Sequence, residues 1–297
     1  MHILIIPAAV IILLLLRLLS LRCRRGHAIL PVLRQYRYAH RGLYDGEAPE
    51  NSLSAFRRAV RLGYGAELDL HLTRDGRLAV MHDDNIARMC GTDRKISQSD
   101  SADLADCRLA GTDEKIPYFE EVLEIFQGRT PLIIELKTDR GNAAALCQAA
   151  MDLLDHYSGP YCVESFDPRA VLWFRRHRPE ICRGQLCENY RKTLKGPARY
   201  AAWILGSSLV TNLLTQPDFI AFRFSDRHAL SLRLCRRLYD VCTVYWTLQS
   251  LEEVRICEQE GAAAIFEHCL PGSQTEIKIQ PHMSITHGHT ARNRQPS

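Results

Sequence analysis

Acidic and imidazole side chains recur in the first half of this chain at the ends of short apolar runs. In Glu67-Leu68-Asp69 the two carboxylates stand two residues apart, so in a strand both project from one face. An exposed edge strand accommodates such a pair unaided. In an interior, two unpaired carboxylates are costly, and a bound divalent cation is the usual resolution. Glu135 closes the apolar run Pro131-Leu-Ile-Ile, and Lys137 shares its face, able to pair with it or to bind a phosphate oxygen. Three carboxylates from separate strand ends would form a hard oxygen site suited to Mg2+ or Ca2+. His40 and His82 also close apolar runs. Either alone would be an ordinary structural histidine, but two imidazoles beside one cation could divide acid and base work in phosphodiester cleavage.

Short apolar runs that alternate with helical patterns as far as Leu270 must carry these residues, and that alternation predicts a parallel α/β architecture. Strands are expected at Tyr36–His40, Ala66–Leu72, Leu78–His82, Leu132–Leu136, Tyr161–Ser165, Ile181–Leu186, Phe219–Phe222, Val241–Leu248 and Ala263–Phe266. Helices are expected at Ser52–Leu62, Tyr118–Phe126, Asn142–His156, Arg169–His177, Arg227–Leu238 and Leu251–Gln259. Nine strands exceed the eight places of a (β/α)8 barrel, so one belongs to a side hairpin or is not a strand. The polar segment 85–117 reads as an insertion over one face, part of a substrate entrance. The apolar stretch Tyr200–Leu214 reads as a buried helix, the alternative being a surface helix that dips into a bilayer.

Charged residues at 24% and hydrophobic ones at 46% describe an ordinary folded chain, and a net charge of +4 with no basic stripe argues against nucleic acid. The 11 cysteines show no metal-binding spacing and read as reduced core thiols, favouring a reducing compartment. From Ile3 to Leu21 the chain is almost wholly apolar, which predicts a transmembrane anchor over residues 1–21. Arg22, Arg24 and Arg25 follow it, so the catalytic domain is expected on the cytoplasmic side of a single-pass protein, with Arg17 snorkelling to the headgroups. A basic juxtamembrane linker is expected at 22–35, the folded domain at 36–270 and a polar, disordered tail at 271–297, where His282, His287 and His289 carry no site.

The order His40-Arg41-Gly42, Pro49-Glu50-Asn51, Glu67-x-Asp69, Thr73-x-Asp75-Gly76, His82-Asp83, Glu135-x-Lys137 and Trp246-Thr247 closely resembles the glycerophosphodiester phosphodiesterase family. The resemblance runs from His40 to about Leu270. It implies a (β/α)8 TIM barrel with its site at the C-terminal ends of the strands. It further implies Glu67, Asp69 and Glu135 as metal ligands, His40 and His82 as the acid/base pair, and Arg41 and Lys137 as phosphate holders. Glu50 and Asn51 would orient the site and begin the following helix, and Trp246 would wall the substrate. The implied substrate is a glycerophosphodiester, or a lysophospholipid given the apolar N-terminus. The implied course is attack by a glycerol hydroxyl, a cyclic phosphate, then hydrolysis to glycerol phosphate and an alcohol. A lyase that stops at the cyclic phosphate and a silent membrane scaffold are the alternatives. One departure is Glu267-His268, where the family usually carries an Asp after its last strand. That difference is expected to affect local packing or substrate fit.

Overall fold

The computed structural model describes residues 14–139, 141–193, 195–197, 200 and 206–272. Nine strands form: β1 Arg37–Ala39, β2 Gly65–Leu72, β3 Leu78–Val80, β4 Leu132–Leu136, β5 Tyr161–Ser165, β6 Arg183–Cys187, β7 Phe219–Arg223, β8 Cys242–Leu248 and β9 Ala263–Phe266. Eight of them pair in parallel, and the β1–β2 pairing closes the ring into a barrel. The supernumerary strand is β3, antiparallel to β2 through Leu70↔Val80.

Side chains alternate across this wall as a strand requires. Leu132, Ile134 and Leu136 of β4 join the outer core beneath the helices, while Ile133 belongs to an inner cluster with Tyr38, Cys162, Phe219, Cys242, Val244 and Ile265. Gly184 is obligatory in that inner layer, because a Cβ there would stand 2.2 Å from the Phe219 ring. All eleven cysteines are free, and Cys162, Cys182 and Cys242 are buried as small apolar residues.

The helices follow from apolar spacing and caps: α1 Leu30–Gln35, α2 Leu53–Arg61, α3 Ala87–Cys90, α4 Ser101–Leu104, α5 Phe119–Phe126, α6 Ala143–Leu154, α7 Pro168–His177, α8 Tyr190–Thr193, α9 Asn212–Thr215, α10 Leu230–Tyr239 and α11 Leu251–Gln259. In α2 the buried face is Ala55, Phe56 and Ala59, with Ser52 accepting from the Ala55 amide. Ser52, not Glu50 or Asn51, therefore begins this helix. Segment 85–117 has a small core of its own, in which Ile86, Met89, Ile96, Leu104, Leu109 and Ile116 pack on Ala79 and Met81 beside the β3 hairpin.

The N-terminal region departs from the sequence expectation. Residues 22–35 are no linker. Arg24 pairs with the fully buried Asp218 at 2.5 Å, and Arg25 donates to the carbonyl oxygens of Tyr239 and Leu238. Ile29 and Leu33 of this segment join the inner cluster and close the barrel floor. Their cluster partners explain the arrangement: the floor is apolar and needs a cover, which the helical spacing of Ile29, Leu33 and Tyr36 supplies. Residues 14–19 are helical, with Leu14, Leu15, Leu16 and Leu19 exposed. Arg17 does not reach outward; it donates to the Ser208 carbonyl oxygen and to Ser20. Residues 1–13 of the expected anchor lie outside the described residues, as does most of the tail. Among the described residues no helix is long and apolar enough to cross a membrane.

The stretch Tyr200–Leu214 is not one buried helix in its described part. Leu209 takes a left-handed φ of 60° that breaks the run, and Leu213 and Leu214 are exposed while Leu209 is buried. Trp203 lies outside the described residues. The floor has a measurable consequence. Leu33→Ala leaves a cavity in a fully buried position and lowers stability by roughly 2–5 kcal/mol in denaturant unfolding, whereas a change at a true linker position would leave the midpoint where it is.

Candidate functional site

Register builds the site. Along parallel neighbours Asp69 pairs with Glu135, and Glu135 with Glu164, so three inward strands each bring a carboxylate to one layer. Glu67 lies one inward position back on β2. Single carboxylate oxygens of Glu67, Asp69 and Glu135 lie within 4.8 Å of one another, and all three residues are buried. Lys137 reaches across to Glu135 at 2.8 Å and Asp69 at 3.0 Å. Asn51 donates to Asp69 at 2.9 Å, and the Arg41 amide donates to Glu67 at 3.0 Å.

That amide reaches Glu67 because the chain turns sharply after β1. Arg41 and Asn51 both adopt left-handed backbone, at φ 54° and 57°, and the Asn51 amide donates to the Arg41 carbonyl oxygen at 2.8 Å. Two non-glycine residues held in this region mark a segment that its surroundings over-determine. The Arg41 side chain pairs with Glu50 at 2.8 Å and lies 3.5 Å from Asp69.

Both histidines are oriented by carboxylates. His40 meets Glu267 through Nδ1 at 2.6 Å, and His82 meets Asp83 through Nδ1 at 2.8 Å. An ionised carboxylate only accepts, so each ring carries its proton on Nδ1 and, when neutral, has a free lone pair on Nε2. His40 Nε2 lies 3.9 Å from Glu67. Glu267 also accepts from Tyr44 at 2.9 Å and from Gln249 at 2.8 Å. Opposing its burial, those bonds and His40 hold its carboxyl down to about 2. The departure at Glu267 is thus a contact to His40 and not a matter of packing alone.

So much negative charge in a dry interior has an electrostatic cost. Burial first, then the Asp69 and Glu135 charges, pushes Glu67 well above the carboxylate range. Burial likewise lifts Glu135 to about 7 against the opposing pull of Lys137. Asp69 alone is held low: burial works against it, but Lys137, His82 and Arg41 outweigh burial. Burial lowers His82 and favours its neutral ring, with Asp69 opposing. Glu164, 2% exposed, is pushed well above its usual range by burial and by Glu135, and one of its oxygens has no hydrogen-bond partner. A buried cluster of hard oxygen donors that cannot all ionise unaided is the donor set a small divalent cation fits.

Across the mouth stands an aromatic wall. Trp246 on β8 meets the edge of Phe166 at 5.6 Å, Phe166 meets Tyr190 at 6.4 Å, and Arg223 lies over the Trp246 ring at 5.1 Å while pairing with Glu188. The structure therefore gathers His40, Arg41, Glu50, Asn51, Glu67, Asp69, His82, Glu135 and Lys137 into one bonded cluster, with Trp246 in a separate group of aromatic side chains. Sequence reasoning missed Glu164, Asp83 as a histidine partner, and Tyr44. Glu164 carried a signal: it follows Val163 in an apolar strand at the position that parallel pairing sets against Glu135.

Residues 40–266 match the sequence profile of the glycerophosphoryl diester phosphodiesterase family. Among curated proteins, the chain is 34% identical to Lysophospholipase D GDPD1 of Rattus norvegicus over 132 residues, 40% of each protein. It is 32% identical to a glycerophosphodiester phosphodiesterase of Bacillus altitudinis over 155 residues, 48% of this chain and 63% of that one. The matched part thus spans less than two thirds of these relatives. A phosphodiesterase structure from Oleispira antarctica, in complex with the product sn-glycerol-3-phosphate, aligns with TM-score 0.66 at 22% identity over 82% of this chain and 95% of that one. A glycerophosphodiester phosphodiesterase structure from Thermotoga maritima aligns with TM-score 0.60 at 23% identity over 77% and 92%. These likenesses establish the fold, and the profile match over most of the chain establishes the kinship: the chain belongs to the glycerophosphoryl diester phosphodiesterase family.

Proposed function

We propose that this chain hydrolyses glycerophosphodiesters to a phosphomonoester and an alcohol. The observation that carries the reading is the meeting of three buried carboxylates, Glu67, Asp69 and Glu135, with two histidines that each have Nδ1 held by a carboxylate. In this reading Glu67, Asp69 and Glu135 hold a divalent cation, Mg2+ or Ca2+, which when bound draws charge from the phosphate. Arg41 and Lys137 bind phosphate oxygens, and Asn51 and Glu50 fix Asp69 and Arg41. One histidine takes the proton of a glycerol hydroxyl at Nε2 as that oxygen attacks phosphorus. The other delivers a proton from Nε2 to the departing alcohol. A cyclic phosphate forms, and the same pair with roles reversed adds water to it. Glu267 and Asp83 keep Nδ1 protonated through both steps and stabilise each imidazolium.

Substrates of two kinds fit the reading. Water-soluble glycerophosphodiesters are the first. Lysophospholipids are the second, favoured by the relatives named lysophospholipase D and by the apolar residues that precede the barrel. Trp246 and Phe166 offer an apolar wall for the alcohol or acyl portion.

Full-length protein incubated with glycerophosphocholine is expected to release glycerol phosphate with Mg2+ or Ca2+ and none with a chelator; a cyclic phosphate as sole product would instead indicate a lyase. His40→Ala and His82→Ala are each expected to lower turnover by roughly 100-fold or more with the fold intact. Near-normal activity in either would remove that histidine from the mechanism. A thermal test follows from charge alone. Glu135 has its folded pKa raised to about 7, so metal-free folding binds a proton that unfolding releases. Its stabilising contribution is full below the unfolded carboxylate range and is lost as pH rises through about 7. The metal-free Tm should therefore fall from about pH 5 to pH 8, the raised carboxyls of Glu67 and Glu164 adding to the fall and the lowered His82 ring opposing it, and added cation should restore it most at the alkaline end. A flat metal-free profile would contradict the site.

A further inference from the structure

Arg88 lies in the inserted segment, on α3, between Ile86 and Met89, which are buried in that segment's own core. Its guanidinium makes three hydrogen bonds to two carboxylates. Nε donates to Asp83 Oδ2 at 2.6 Å, Nη2 to Glu50 Oε1 at 2.6 Å and Nη1 to Glu50 Oε2 at 3.1 Å. Each carboxylate uses its remaining capacity on a residue of the proposed site. Asp83 Oδ1 faces His82 Nδ1 at 2.8 Å, and Glu50 Oε1 also accepts from Arg41 at 2.8 Å. A continuous path therefore runs from Asp69 through Arg41, Glu50, Arg88 and Asp83 to His82.

We propose that Arg88 is a positioning residue, through which the inserted segment fixes Arg41 and His82 relative to one another; this rests on the function proposed above. Geometry carries the case. Asp83 follows the end of β3, and its carboxylate can rotate about its own side-chain bonds. With Oδ2 tied to a planar fork, Oδ1 is left in a single orientation toward His82. Glu50 is fixed the same way toward Arg41. The small core of Ile86, Met89, Ile96, Leu104, Leu109 and Ile116 anchors the fork from behind. Arg88 is 48% exposed and Asp83 32%, and a pair so open to water adds little to stability, while the less exposed Glu50 keeps Arg41 as a partner when Arg88 is removed. An arrangement of this kind holds position more than it holds the fold together.

Lysine cannot reproduce three bonds in two directions, so Arg88→Lys and Arg88→Ala should fail alike. With glycerophosphocholine as substrate, kcat/KM of the full chain is expected to fall roughly 10–100-fold in both variants, with Tm near that of the unsubstituted protein. Guanidinium at non-denaturing concentration should recover part of the loss in Arg88→Ala and leave the unsubstituted protein unaffected. Activity within twofold of the parent in either variant, or a loss that guanidinium does not touch, would overturn the role. A second measurement needs no turnover: in nitrogen-15 histidine spectra, assigned with His82→Ala, the His82 ring signals should shift and broaden in Arg88→Ala. Unchanged His82 signals would overturn the positioning role even if the parent protein turns over no glycerophosphodiester, an outcome that would by itself retire only the proposed activity.

Discussion

Parallel register in a closed barrel forces the inward side chains of neighbouring strands into layers, and here one layer is acidic. Asp69, Glu135 and Glu164 are successive partners across β2, β4 and β5, with Glu67 one inward position behind. Such charge needs compensation, and much of the surrounding sequence supplies it. Lys137 bridges two of the carboxylates, Asn51 donates to one, and the sharp turn after β1 aims the Arg41 amide at another. The apolar layer beneath, from Tyr38 to Phe219, excludes water from the floor. Because water cannot screen these groups, their charges act strongly on each other and on anything that enters.

Around that layer the polar contacts extend outward in an ordered way. His40 and His82 face it, Glu267 and Asp83 hold the histidines, and Tyr44, Gln249 and Arg88 hold those carboxylates in turn. The acidic layer is buried while Arg88 at the rim is 48% exposed, and directional bonds connect the two. The aromatic group of Phe166, Tyr190 and Trp246 differs in kind: its contacts are edge-to-face and carry no fixed direction of hydrogen bonding.

Much of this was legible in the sequence because the repeating physics is local. Alternation of apolar runs with helical spacing located the barrel strands and the six long helices, since each must bury one face. Glu67, Asp69 and Glu135 stood out because acidic residues interrupt apolar strands. What escaped depends on contacts between distant segments. Glu267 meets His40 across 227 positions of sequence, and Arg88 meets Glu50 across 38. The N-terminal segment misled for a different reason. A run of arginines after an apolar stretch has the composition of a linker, yet Arg24 and Arg25 are consumed by Asp218 and by carbonyl oxygens at the end of α10. Ile29, Leu33 and Tyr36 carried the contrary signal, a helical apolar stripe too regular for a tether.

That floor segment ties the apolar N-terminal residues to the barrel. Leu21 belongs to the barrel's outer core and Leu33 to its inner one, while residues 14–19 lie directly ahead of them. A protease that cut between residues 22 and 28 would therefore not shed an intact enzyme from its apolar leader in the way that cleavage of a stalk releases an ectodomain. It would leave Leu21 and its neighbours bound to the barrel by packing and by the hydrogen bonds of Tyr239 to the Leu18 carbonyl oxygen and of Arg17 to that of Ser208, a nicked but undivided molecule.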